Sequence, residues 1–112
     1  MTKTQLIVAI VPQGRCPVLV TAAKEAGAEG ATIVRGRGTG VHESSRFLGV
    51  PIEPEKDLLL VLIPTELTDA VMSAIVRAGE LDQPGHGIAF VVDVPRVEGI
   101  VHRGEVMTTV RP

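Results

Sequence analysis

The side chains of this sequence that could do chemistry are few and scattered. His42, His86, His102 and Cys16 carry its imidazole and thiol groups. No pair of them stands at a ligand spacing, so they read as unconnected residues and not as a metal set. Ser44 and Ser45 follow His42 and Glu43, which puts a nucleophile, a base and a carboxylate in four consecutive residues. Neighbours in a loop have no preorganised support, and nucleophilic catalysis needs it. Cys16 stands at a helix start, where a thiol pKa can fall; its plainer reading is a small buried residue. What remains is anion binding. Two stretches are glycine-rich, Gly36-Arg37-Gly38-Thr39-Gly40 and GELDQPGHG from Gly79 to Gly87. Such loops hold phosphate or carboxylate when their N–H groups converge. Neither is a P-loop, and the first is no dinucleotide fingerprint, because Val41 to Arg46 shows no apolar helical stripe.

The elements that must position these loops are apolar. Gln5 to Val11 is a continuous run rich in β-branched residues, which predicts a buried strand. Pro17 suits the first turn of a helix whose stripe is Val18, Leu19, Ala22 and Ala26, with Gly27 as its C-terminal cap. Gly30 to Arg35 predicts a second strand. Arg35 to Lys56, RGRGTGVHESSRFLGVPIEPEK, is then a loop. Pro51 and Pro54 cannot sit inside a central strand, and a loop of about twenty residues in a compact domain is usually functional or disordered. Leu58 to Ile63 is the third strand. Thr65 is the expected N-cap of a second helix that buries Leu67, Val71, Met72, Ile75 and Ala78 and turns Thr68, Ser73 and Arg77 to water. Ile88 to Val94 is the fourth strand, and Val97 to Val101 a short edge strand.

The order β-α-β-loop-β-α-β predicts an α+β, ferredoxin-like fold, an antiparallel sheet with two helices on one face. An antiparallel sheet with one wet face alternates apolar and polar residues. The first and third strands do not alternate, so the second face must also be covered, most economically by self-association. At 112 residues and 45% hydrophobic, the chain is read as one domain over residues 1–112. A charge of −2 gives no electrostatic case for nucleic acid. A single cysteine fits a reducing cytoplasm, and no apolar run is long enough to insert in a membrane. The N-terminal MTKTQLIVAIVPQG has a faint signal-peptide character but no small-residue cleavage site, and is read as a strand.

Gly85-His86-Gly87-Ile88-Ala89-Phe90-Val91-Val92-Asp93-Val94-Pro95-Arg96-Val97, with Glu25-x-Gly27-x-x-Gly30-x-Thr32 and Gly36-Arg37-Gly38, resembles the PII signal-transduction family of nitrogen regulators over most of residues 4 to 100. The resemblance implies a homotrimer of ferredoxin-like subunits that is not an enzyme. It implies a T-loop at about 37–56, a B-loop at about 81–87, and a polar tail at about 102–112. It implies an effector, an adenine nucleotide, between subunits. Gly36, Arg37, Gly38 and Thr39 would bind it from the T-loop base, and Gly85, His86, Gly87 and Arg96 from the B-loop side. No covalently bound cofactor is implied. Arg46, Phe47 and Leu48 near the loop tip would contact a partner, a membrane transporter or metabolic enzyme.

The sequence also departs from that family. Ile88 stands where the family has the B-loop lysine, and His86 where it has an aspartate. Of three arginines expected near the last strand only Arg96 lines up. AMP, ADP, a cyclic nucleotide or another small anion is therefore as open as ATP. The T-loop is shorter than in PII proper and the chain has no tyrosine, so tyrosine uridylylation is excluded; Ser44 and Ser45 remain as phosphorylation candidates. Two alternatives compete. One is a trimer like CutA, implicated in metal tolerance on the same fold, disfavoured by the scarcity of cysteine and paired histidine. The other is a small enzyme using a loop nucleophile.

Overall fold

The structure is a computed structural model that describes residues 3–39, 46–47, 50–51, 54–101 and 105–106, with only the backbone at 46–47, 50–51, 100–101 and 105–106. In chain order the elements are β1 (Thr4–Pro12), α1 (Cys16–Glu25), β2 (Thr32–Arg37), β3 (Arg46–Phe47), β4 (Val50–Pro51), β5 (Glu55–Pro64), α2 (Thr65–Gly79), β6 (Ile88–Val94), β7 (Ile100–Val101) and β8 (Glu105–Val106). Four strands make one antiparallel sheet in the order β2-β5-β1-β6. That is the ferredoxin-like arrangement the sequence predicts. β3 and β4 pair with each other inside the long loop, as do β7 and β8 beyond the main sheet.

Alternation along the two central strands decides what is buried. Ile7, Ala9 and Val11 of β1 face the helices together with Leu59, Val61 and Ile63 of β5. Leu19 and Ala23 from α1 and Val71 and Ile75 from α2 close this core. α1 ends as Gly27 allows: at φ +122° it donates to Lys24 O, and Ala28 donates to Ala23 O, a Schellman closure.

The buried stripe of α1 is rotated from the predicted one. Cys16, Leu19 and Ala23 point inward at i, i+3 and i+7, which leaves Val18 exposed. The packing of Cys16, Leu19 and Ala23 into the core shared with β1 and β5 sets this face, and Cys16 is the small buried residue of its plainer reading. α2 also departs from expectation. Its N-cap position is Pro64, in extended conformation, and no side chain caps it; the Thr65 N–H donates to Lys3 O at 3.0 Å. Thr68, predicted to face water, is buried. Its hydroxyl donates to Gln5 Oε1 at 2.7 Å, and Gln5 Nε2 donates in turn to Asp93 Oδ1 at 2.9 Å. A hydroxyl can enter this helix-to-sheet seam because Gln5, the second residue of β1, satisfies it.

The face of the sheet away from the helices is apolar across three strands. Leu6 lies between Leu62 and Val92, Val8 between Leu60 and Phe90, and Ile10 between Leu58 and Ile88. Leu62, Ile88, Phe90 and Val92 are exposed in the single chain.

Gly87 marks the tightest backbone approach to this sheet. At φ +121°, a Cβ there would meet the Ile10 carbonyl oxygen at 2.4 Å. Gly14 also has positive φ, +89°, but has nothing within 4 Å of a Cβ. Gly87→Ala should therefore cost about 3 kcal/mol or more, from clash added to strain, and Gly14→Ala only about 1 kcal/mol. Urea denaturation of the two variants checks this; equal costs would contradict the close approach.

Candidate functional site

β2 and β5 stay paired to the very root of the long loop, through Gly36 opposite Lys56 and Arg37 opposite Glu55. Gly36 and Arg37 thus belong to a strand and not to the loop predicted from Arg35 onward. The pairing continues one step further, where the Gly38 N–H donates to Pro54 O at 3.2 Å. That N–H is used within the chain, so the nest imagined for the glycine-rich stretch loses one donor. Arg37 Nη2 lies 3.9 Å from Glu55 Oε1, an exposed and weak ion pair.

The second glycine-rich stretch folds back toward this root. His86 donates its N–H to Gln83 O at 3.2 Å, and Gly85 and Gly87 take positive φ. Gly87 then runs over Ile10. Between the two segments lies a cavity of about 480 Å³. Arg35, Gly36, Arg37, Gly38 and Thr39 form one wall, Gly87 and Ile88 the opposite one, and Lys56, Leu58, Ile10 and Val34 the rest. Gly36 keeps it open, because even a Cβ there would press on Leu58 at 3.3 Å.

Five of the eight ligand residues expected from the sequence meet in this cavity: Gly36, Arg37, Gly38, Thr39 and Gly87. Gly85 and His86 lie in the turn before it, with His86 Nδ1 4.0 Å from Glu80 Oε2. Arg96 is not in its lining; its Nη2 is 3.0 Å from Glu98 Oε2 at the surface. The expected partner-contact residues are mostly outside the description: Arg46 and Phe47 are placed as backbone in β3, while Leu48 lies outside the described residues, as do His42, Ser44, Ser45 and His102. Among the described residues no three His, Cys, Asp or Glu side chains come together as a metal group.

Arg35 and Lys56 are the site residues that sequence reasoning missed. Lys56 is only 7% exposed and stands on the cavity face, whereas Arg35 and Arg37, in register with Asp57 and Glu55, line the cavity along the strand while their charged ends lie against those carboxylates on the other face; no carboxylate is among the described lining residues. The signal was strand alternation. With β5 begun at Glu55, Lys56 stands two residues before Leu58 and on its face.

Directly behind Lys56, on the helix side, Asp57 is buried. Its Oδ2 accepts the Gly14 N–H at 2.9 Å and its Oδ1 lies 3.6 Å from Arg35 Nε. Burial pushes the Cys16 thiol above its ordinary range, and the charge of Asp57 pushes it further the same way.

The family model of nitrogen regulatory protein P-II matches residues 4–105. Among solved structures, the crystal structure of Arabidopsis thaliana PII bound to citrate matches with a TM-score of 0.71 and 23% identity, covering 95% of this chain and 90% of that one. No curated protein matches the chain.

The Cys16 environment predicts an alkaline weakness. The folded chain holds the thiol proton more tightly than the unfolded chain does, because the folded pKa is raised above the ordinary 9.0. The contribution is intact below that value and is lost as pH rises through it toward the folded pKa. Cys16→Ala should therefore flatten the fall in denaturation midpoint between about pH 8 and about pH 10, whatever it costs at neutral pH. Parallel curves for the two proteins would show that the thiol does not titrate in this way.

Proposed function

The chain belongs to the nitrogen regulatory protein P-II family, and from that premise we propose a trimeric sensor that takes a small polyanion, an adenine nucleotide first, in the cavity at the loop root. Proteins of this family are signal-transduction regulators, not enzymes. The observation that carries the ligand reading is the cavity itself. It joins the two glycine-rich segments, it carries Lys56 on its face with no carboxylate among its described lining residues, and the rest of its wall is largely backbone and apolar side chains. Cations and N–H groups suit phosphate or carboxylate oxygens. An apolar wall suits a base or an alkyl backbone.

Trimer formation is supported by the bare sheet face. Leu62, Ile88, Phe90 and Val92 stand exposed on a surface that helices do not cover, and self-association buries them. A trimer also brings a neighbour's surface toward the cavity mouth, and Gly85, His86 and Arg96 are then available to a ligand held between subunits. The loop between Gly38 and Pro54 is rooted at the cavity wall, so it is the segment suited to report occupancy to a partner transporter or enzyme. No helix among the described residues is long and apolar enough to cross a membrane, and the work proposed here is cytoplasmic.

A second ligand class has its own support. The plant structure that resembles this one is of a PII protein bound to citrate, a tricarboxylate that Lys56 and the N–H groups suit as they suit a phosphate.

Light scattering of the purified chain should give about three times 11.8 kDa, and Phe90→Asp should prevent assembly by placing a charge on the shared apolar face. A stable soluble monomer of the unaltered chain would sink the trimer. Calorimetry then tests the ligand. With Ile88 where the family has lysine, ADP and AMP should bind at least as tightly as ATP. ATP binding tenfold tighter would show that the missing cation is replaced. Lys56→Met should weaken the bound anion about tenfold or more, as the loss of one charge-assisted contact predicts.

A further inference from the structure

β2 is the strand of the main sheet whose register burial specifies least. It is an edge strand, and Ile33 and Val34, which point to opposite faces, are exposed almost equally, at 48% and 42%. A one-residue slip along β5 would exchange those faces at little cost in buried area. Gly36 brings no side chain to resist it. The constraint that remains is charge. Arg35 stands opposite Asp57 and Arg37 opposite Glu55, both pairs on the helix face. The two rungs are unequal. Glu55 is exposed. Asp57 is 4% exposed, with Oδ2 on the Gly14 N–H and an Oδ1 that accepts no hydrogen bond and faces Arg35 Nε at 3.6 Å.

In the observed register Gly36 stands opposite Lys56. Slipping β2 by one residue either way would put Arg35 or Arg37 opposite Lys56, a like-charge pair. The same slips would set Val34 or Gly36 opposite Asp57 and leave a buried carboxylate without counter-charge. A two-residue slip keeps each face. One direction sets Ile33 opposite Asp57, with the same fault; the other gives Asp57 to Arg37 but moves Arg35 into the place beside Leu59 that Ile33 fills now. Every neighbouring register therefore costs more than the observed one, and the buried carboxylate decides most of them.

We propose that Asp57 is a positioning residue: its charge, acting through Arg35, selects the register in which Gly36 faces Lys56 at the cavity. The side chain that sets this wall points away from it. β5 turns Lys56 to the cavity face and Asp57 to the helix face, so a shift of Arg35 off Asp57 carries Gly36 and Gly38 past Lys56. The value of that register to a ligand rests on the anion-binding reading of the cavity; the register itself does not.

Asp57→Asn tests this, because the amide keeps the shape and an oxygen for Gly14 while removing the charge. NMR of the ligand-free protein reads the register from cross-strand NOEs between Gly36 and Lys56, and its hold from amide exchange in β2, with β1 as the reference. In Asp57→Asn those NOEs should weaken or be replaced, and β2 exchange should quicken about tenfold more than β1 exchange. Unchanged NOEs overturn the proposal. So does equal quickening of both strands, which is what a loss of global stability gives. Arg35→Gln should loosen β2 as well, and adding Asp57→Asn to it should alter β2 exchange by less than about twofold. An undiminished effect of Asp57→Asn without Arg35 assigns the role to the Gly14 bond and overturns the proposal. ADP and, separately, citrate are then titrated into wild type and Asp57→Asn. The variant should bind about fivefold more weakly or worse, because its loop root is no longer held in the binding register. Equal affinity beside a loosened β2 overturns the link to the site. If wild type binds neither, the anion reading fails, and the NOEs and exchange alone decide the register.

Discussion

β1 and β5 are apolar on both faces, and everything else in the fold answers to that. A strand of this kind cannot lie at a wet surface, so each face has to be covered by something. The helices cover one face with Leu19, Ala23, Val71 and Ile75. No element of the described chain covers the other, where Leu6, Val8 and Ile10 stand in register with their partners on β5 and β6. The proposed trimer is the economical cover, because identical copies bring identical apolar faces. The same requirement sets the place of the cavity. Its apolar residues, Ile10, Leu58 and Ile88, are the last of that bare face at the end where β2 and β5 run out into the loop.

Gly87 ties this end of the sheet to the second glycine-rich segment. It lies so close to Ile10 O that only a residue without a Cβ fits, and its positive φ needs a glycine as well. The contact fixes one cavity wall against the central strand, while the other wall is fixed by backbone pairing at Gly36 and Gly38. The site is therefore held by main-chain constraints on both sides. Lys56, on the cavity face, is left to choose a ligand by charge.

Much of the fold was legible because strand burial writes itself as unbroken apolar runs. Gln5 to Val11, Leu58 to Ile63 and Ile88 to Val94 each proved to be a sheet strand, and Gly27 capped its helix as its lack of a side chain suggests. What failed to read out were facts that live in the third dimension. The face that α1 turns inward is set by its packing on the sheet, which holds Cys16, Leu19 and Ala23 and leaves Val18 outside. Thr68 was assigned to water because a hydroxyl on a helix usually belongs there; nothing local announced that Gln5, sixty-three residues away, would receive it. Of the cavity, the glycines were legible and the cations were not. Arg35 and Lys56 sat at the boundaries assigned to the loop, and only the extension of β2 and β5 to Arg37 and Glu55 shows which face each takes.

That extension gives β5 its division of charge. In a strand, consecutive side chains point to opposite faces. Lys56 and Asp57 are consecutive, so a cation is committed to the cavity side and a carboxylate to the helix side, within one residue of each other. Neither is freely solvated, since both are buried, and each must find its counter-charge locally. For Asp57 the available partners are the Gly14 N–H and Arg35. Pinning a loop root by a buried carboxylate stabilises it less than an apolar residue of similar volume commonly does. It offers what an apolar residue lacks, an interaction whose strength depends on where a neighbouring guanidinium points. A strand end with a cation in front and an unsatisfied carboxylate behind is a poor choice for stability alone.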